Sequence, residues 1–89
     1  MQFRMTGHMA KVDDLAVSPD GKRLASGDWA GRIFIWDLEY GRELLRFQAH
    51  RGRIHGLTFS PDGRLLASAS GDGLKIWESM SLDALSFDG

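Results

Sequence analysis

Three histidines, His8, His50 and His55, are the side chains in this 89-residue sequence best suited to moving protons or holding metal. Metal sites gather several His, Cys or carboxylate ligands at set spacings. Here the chain has no cysteine, and His8 and His50 each stand singly within their own stretch of sequence, so neither a metal nor a cofactor is expected. Serines are plentiful, yet there is no Gly-x-Ser-x-Gly elbow to sharpen a nucleophile and no Gly-Lys-Ser or Gly-Lys-Thr loop to cradle phosphate. Asp13 and Asp14 are adjacent, so on a strand they point to opposite faces and do not share a site; they read as rim charges. Arg42, Arg46, Arg51 and Arg53 form a basic cluster, but the net charge is −1 and supplies no long-range field to draw in an anion. No set of residues points to catalysis.

The bulk composition agrees. Hydrophobic residues make up 43% and charged residues 26% of the chain, which describes a folding chain and not a disordered one. With 11 Lys and Arg against 12 Asp and Glu, neither nucleic acid nor an anionic membrane is an expected partner. No apolar run is long enough to span a bilayer, and the opening Met-Gln-Phe-Arg-Met lacks the apolar stretch of a secretory signal, so the expected location is cytoplasmic. A chain this short buries only a modest share of its surface when folded alone.

What must position these residues is a pattern written twice. Residues 12–26 align without a gap on residues 54–68, an offset of 42 that also carries His8 onto His50. Trp36 lands on Trp77 at an offset of 41, because the second copy is one residue shorter before its Trp. Each copy is a series of short β-forming runs separated by turn signals. Ser-Pro-Asp-Gly at 18–21 and at 60–63 is a hairpin turn: Pro sets φ, Asp tolerates the bend and Gly supplies a left-handed backbone. The expected strands, lettered a to d, are a at 14–18 and 56–60, b at 23–27 and 65–69, c at 32–37 and 74–78, and d at 43–48 and 83–87. Both faces of these strands carry apolar residues, as in Ile33-Phe34-Ile35-Trp36, so each sheet needs a neighbour on either side.

A unit of roughly 40–45 residues with Gly-His near its start and Trp-Asp near its end resembles a WD40 repeat. The first copy has Gly7-His8 and Trp36-Asp37; the second has Ala49-His50 and Trp77-Glu78. The resemblance covers essentially the whole chain and implies an all-β fold of propeller blades. Two four-stranded antiparallel blades, at 7–48 and 49–89, are expected after one outer strand d at 1–6. That family fastens each blade with a hydrogen-bonded His, Ser or Thr, Trp and Asp, which implies structural roles for His8, Ser26 and Trp36 and for His50, Ser68 and Trp77. The family's Asp stands six residues before the Trp, a position held here by Ala30 and Gly71. Asp72 fits if the missing residue lies between it and Trp77, whereas Asp28 requires a rearranged turn, so the second blade is expected to be the better fastened.

The same resemblance implies that partners meet the loops between strands d and a and between b and c. Trp29, in the first b–c loop, has no counterpart in the second copy. It is either an interface anchor or a lid folded over its own blade. Lys11, Asp13, Trp29, Arg53 and His55 are the residues left free for a protein or peptide partner. The expected function is a non-catalytic protein-interaction scaffold segment; the alternative is a structural fragment whose ligand is its own copies. Stacked repeats generally need at least three units, so the chain is either part of a longer propeller or assembles head to tail, about three or four copies supplying six or eight blades.

Overall fold

The computed structural model describes residues 7–78, and within them the chain forms seven strands and no helix. β1 (Val12–Val17), β2 (Arg23–Asp28), β3 (Arg32–Asp37) and β4 (Arg42–Gln48) make an antiparallel sheet in chain order. β5 (Ile54–Phe59), β6 (Leu65–Ser70) and β7 (Gly73–Glu78) make a second. The outer strands expected within 1–6 and at 83–87 lie outside the described residues.

Two strands end earlier than expected for a local reason. β1 and β5 begin two residues early and stop at Val17 and Phe59, leaving Ser18 and Ser60 to the turns. Ser18 Oγ donates to Asp20 Oδ1 at 2.6 Å and accepts from the Arg23 N–H at 3.0 Å, while Asp20 Oδ1 also accepts from the Lys22 N–H at 2.9 Å. Ser60, Asp62, Arg64 and Leu65 repeat the arrangement. Gly21 and Gly63 close these turns at φ of 73° and 75°, the left-handed region where a side chain is strained. The two serine hydroxyls lead the causes that hold Asp20 and Asp62 below the ordinary carboxylate value of 3.8.

The two sheets stack face to face, and the main core lies in the seam. Ala25, Ile33 and Ile35 of the first sheet meet Ile54, Leu57 and Leu66 of the second, with Ala16, Phe47, Phe59 and Trp77 packed around them. Alternation sorts each strand's residues between two faces. Gly27, on the seam side of β2, allows the closest approach: a Cβ there would lie 2.6 Å from Ile54 Cγ2. Gly31 is stricter still, since at φ 81° its Cβ position falls onto the His50 carbonyl oxygen. The carbonyl of Gly31 accepts from both Ala49 N–H and His50 N–H, at 2.9 and 3.0 Å, which pins the second sheet's leading loop over the first sheet's β2–β3 loop.

Not every strand face is covered. Leu15 and Val17 on one side of the pair, and Leu74 and Ile76 on the other, are 47%, 55%, 67% and 54% exposed. Their seam counterparts Leu57, Ile33 and Ile35 are buried.

Candidate interaction site and the fastening networks

In the first sheet, Trp36 Nε1–H donates to Ser26 Oγ at 2.8 Å, and Ser26 Oγ lies 2.6 Å from His8 Nε2. His8 Nδ1 stands 2.8 Å from Asp28 Oδ2. One proton assignment satisfies every atom: indole to hydroxyl, hydroxyl to Nε2, and Nδ1–H to carboxylate. Such a chain polarises each link in the same sense, and its low-dielectric setting strengthens it only because no member is left over. Phe34 stacks on His8 at 3.8 Å between ring centroids and shields it.

The second sheet holds the same chain. Trp77 Nε1–H donates to Ser68 Oγ at 2.9 Å, Ser68 Oγ lies 2.8 Å from His50 Nε2, and His50 Nδ1 is 2.6 Å from Asp72 Oδ1. The backbone N–H of Arg51 donates to Asp72 Oδ2 at 3.2 Å and, with His50, holds that carboxyl below 3.8. Trp77 rests edge-on against Phe47 of β4, 4.8 Å away.

The aspartates depart from the expectation. Asp28 does reach its histidine and is the more deeply set of the two, with a side chain 0% exposed against 31% for Asp72. The turn is indeed rearranged. Asp28 is the last residue of β2, and its Oδ1 accepts from the backbone N–H of Ala30 and of Arg32, both at 3.0 Å. Asp72 instead sits in the two-residue link between β6 and β7. The carboxylate thus arrives from the strand end in one blade and from the turn in the other. The extra residue of the first loop, around Trp29-Ala30-Gly31, was the signal available for this.

The residues expected to be free for a partner lie near one another, and two of them, Asp13 and Arg53, also hold the seam. Arg53 pairs with Asp13 across it, Nε to Oδ2 at 2.9 Å and Nη2 to Oδ1 at 3.1 Å. The Arg53 guanidinium leads the causes that keep Asp13 below 3.8, with smaller contributions from the Trp29 indole and the His55 imidazole. Both cations overlie Trp29: Arg53 Cζ is 4.5 Å and Lys11 Nζ 5.3 Å from its ring centroid. Trp29 stays 46% exposed beneath two charged side chains, one from each blade. Asp14, expected to be a rim charge, also belongs to the seam, its Oδ2 accepting from the Leu57 N–H at 2.7 Å. A register shift between Val12 and Asp14 turns the two neighbouring aspartates to separate tasks.

The arginines do not gather. Arg42 faces Asp37 at 3.6 Å, Arg46 forms a two-pronged pair with Glu43 at 2.8 and 2.7 Å, and Arg53 is held by Asp13. Lys75, which sequence reasoning passed over, takes the place of Phe34 in the second blade and donates from Nζ to the Ala49 carbonyl at 2.7 Å.

This arrangement matches known proteins at every level of comparison. The family model for the WD domain, G-beta repeat, matches residues 1–37 and 41–78. Among curated relatives, the small ribosomal subunit protein RACK1 of Brassica napus is 39% identical over 88% of this chain and 24% of its own length. RACK1y of Oryza sativa subsp. japonica is 46% identical over 44% of this chain and 12% of its own. Among solved structures, the WD40 repeats of RRP9 superpose with a TM-score of 0.80 at 30% identity, covering 84% of this chain and 24% of theirs. The chain thus spans about a quarter of the length of the RACK1 of Brassica napus. With both of its repeats matched and both sheets fastened alike, the chain belongs to the WD40 repeat family and forms two successive blades of a β-propeller.

Proposed function

We propose that these two blades are a non-catalytic scaffold segment that binds a protein or peptide through the surface made by Lys11, Trp29, Asp13, Arg53 and His55. The observation that carries this reading is Trp29, an indole 46% exposed and held in place by Lys11 and Arg53. A large aromatic fixed in advance loses little conformational freedom on binding, and aromatic and arginine side chains dominate protein interfaces. The surrounding charges of both signs suit a polar rim around such an anchor. Support for a role without catalysis comes from the histidines: His8 and His50 each have both ring nitrogens engaged within the fastening networks. RACK1 is by name a small ribosomal subunit protein, which supports a place in a multi-chain assembly and a cytoplasmic location for this chain.

The test uses the full chain as bait for a protein from its source cells, compared with the variant Trp29→Ser, Lys11→Ser. These two positions are chosen because Arg53 and Asp13 also hold the seam. Retention by the parent chain and loss by the variant, with unchanged circular dichroism, is the expected result. Equal retention would move the working surface elsewhere, with the outer strand around Arg42 and Arg46 the next to examine.

A further inference from the structure

We infer that the Trp29 surface takes an acidic peptide, with a carboxylate of the peptide pairing with Lys11 and a neighbouring apolar side chain lying on the exposed part of the indole. This rests on the reading of that surface as the one that meets partners, and the balance of charge around Trp29 carries it.

The surface stands where the two described blades join. The Trp29 N–H donates to the Lys11 carbonyl at 3.0 Å, and the Ala30 carbonyl accepts from the Gln48 side-chain amide at 2.6 Å. One residue on, the Gly31 carbonyl accepts from Ala49 and His50. The loop that carries Trp29 is thus tied to the leading loop of its own blade and to that of the next. An indole set in place before binding spares a partner much of the ordering cost.

The charges around this platform do not cancel. Asp13 is held by two hydrogen bonds from Arg53, and the Trp29 indole stabilises it further. Asp14 accepts from the Leu57 N–H, and Asp28 and Asp72 are engaged by their histidines. Lys11 is exposed, and among the described residues its ammonium has no carboxylate within ion-pair distance. It lies 5.3 Å from the Trp29 ring centroid. His55 adds charge of the same sign when protonated. An uncompensated positive charge therefore stands beside an exposed indole, in a chain whose formal net charge is −1.

The form of that charge selects the partner. An ammonium binds as a compact point charge, whereas phosphate is best held by the fork of a guanidinium. The guanidinium over Trp29 has its fork filled by Asp13, and Arg51 borders a different depression, with Asp72 and Lys75. A singly charged carboxylate is what Lys11 matches. Single-stranded nucleic acid needs a cationic track along its backbone and an open ring face for stacking. A ring overlain by Arg53, with Asp13 against that same guanidinium, supplies neither.

Selection from a phage-displayed library of random, unmodified peptides tests this, with the full chain as target and Trp29→Ser, Lys11→Ser as counter-target. Peptides held by the parent chain and released by the variant should carry net negative charge, with an apolar residue close to the Asp or Glu. For a synthetic copy of the tightest one, exchanging its acidic residues for Asn or Gln should weaken binding by roughly threefold to thirtyfold. Lys11→Glu in the chain should do the same, and added salt should weaken the parent complex. If Lys11→Glu fails to fold by circular dichroism, the Asn or Gln peptide decides alone, because it leaves the chain unaltered. Selected peptides that need Trp29 but are neutral or basic would overturn the acidic partner and leave the surface standing. No peptide that distinguishes the parent from the variant would overturn both. Tighter Trp29-dependent binding of an oligothymidylate than of every selected peptide would also overturn the proposal.

Discussion

The two blades share one fastening network and reach it by different routes, and the contrast separates what the repeat must keep from what it can vary. His, Ser and Trp hold the same places in both, within 0.2 Å in each hydrogen bond they make with one another. The carboxylate does not. Asp28 is buried at a strand end and serves two backbone N–H groups besides its histidine, whereas Asp72 is partly exposed in a shorter turn and serves one. What is conserved between copies is the endpoint of a proton chain, and the loop is free to deliver it from either side.

The largest effect that would break this picture concerns the tryptophans. Trp36→Ala should cost about 3–5 kcal/mol in chemical denaturation, the range for emptying a large buried aromatic site. Trp77→Ala should cost less, because that ring is only partly buried and leans on Phe47. Trp29→Ala should cost least. Equal losses for Trp29 and Trp36 would mean that Trp29 is part of the core.

Next come the aspartates. Asp28→Ala strips three hydrogen bonds at a buried point, and leaving several donors unpaired should cost about 2–4 kcal/mol. Asp72→Ala should cost clearly less, since water can reach the groups it abandons. A larger loss for Asp72 would reverse the ranking of the two blades. A smaller effect is expected from Gly27→Ala, which forces a methyl group against Ile54. Overpacking of that kind costs typically about 1–3 kcal/mol, and Ile54→Val in the same chain should recover part of it.

The smallest effect is one of pH. Asp72 titrates lower when folded than the ordinary 3.8, chiefly through the Arg51 N–H and then through His50. A carboxylate shifted this way contributes stability that is present above its unfolded value and lost as pH falls through the folded one. Thermal melts of the parent chain and of Asp72→Asn should therefore converge as pH drops below 3.8, the parent losing its advantage. Parallel curves through that range would remove Asp72 from the network.

Most of the fold was legible because the repeat is written twice with the same turn chemistry. Ser-Pro-Asp-Gly fixes two hairpins, and an apolar run such as Ile33-Phe34-Ile35-Trp36 announces a strand covered on both faces. Three of the four network members could be placed by offset alone. Asp28 could not be, since spacing to Trp36 counts residues along the chain while the network depends on where the bend falls. Lys11, Asp13, Trp29 and Arg53 do lie side by side, but their pairing was not readable. Asp13 and Arg53 are 40 residues apart, and only the seam reveals that they meet. Asp14 was misjudged for the same reason, because a register shift in β1 cannot be seen in a pattern of alternation.

The most direct test of a shared network with different carboxylates is NMR of the imidazole nitrogens in the folded chain, with His55 as the solvent-facing reference. The account predicts that His8 and His50 both carry the proton on Nδ1 and accept at Nε2. It also predicts that Asp28→Asn disturbs the His8 pattern alone and Asp72→Asn the His50 pattern alone. A His8 spectrum indifferent to Asp28, or one matching His55, would contradict it.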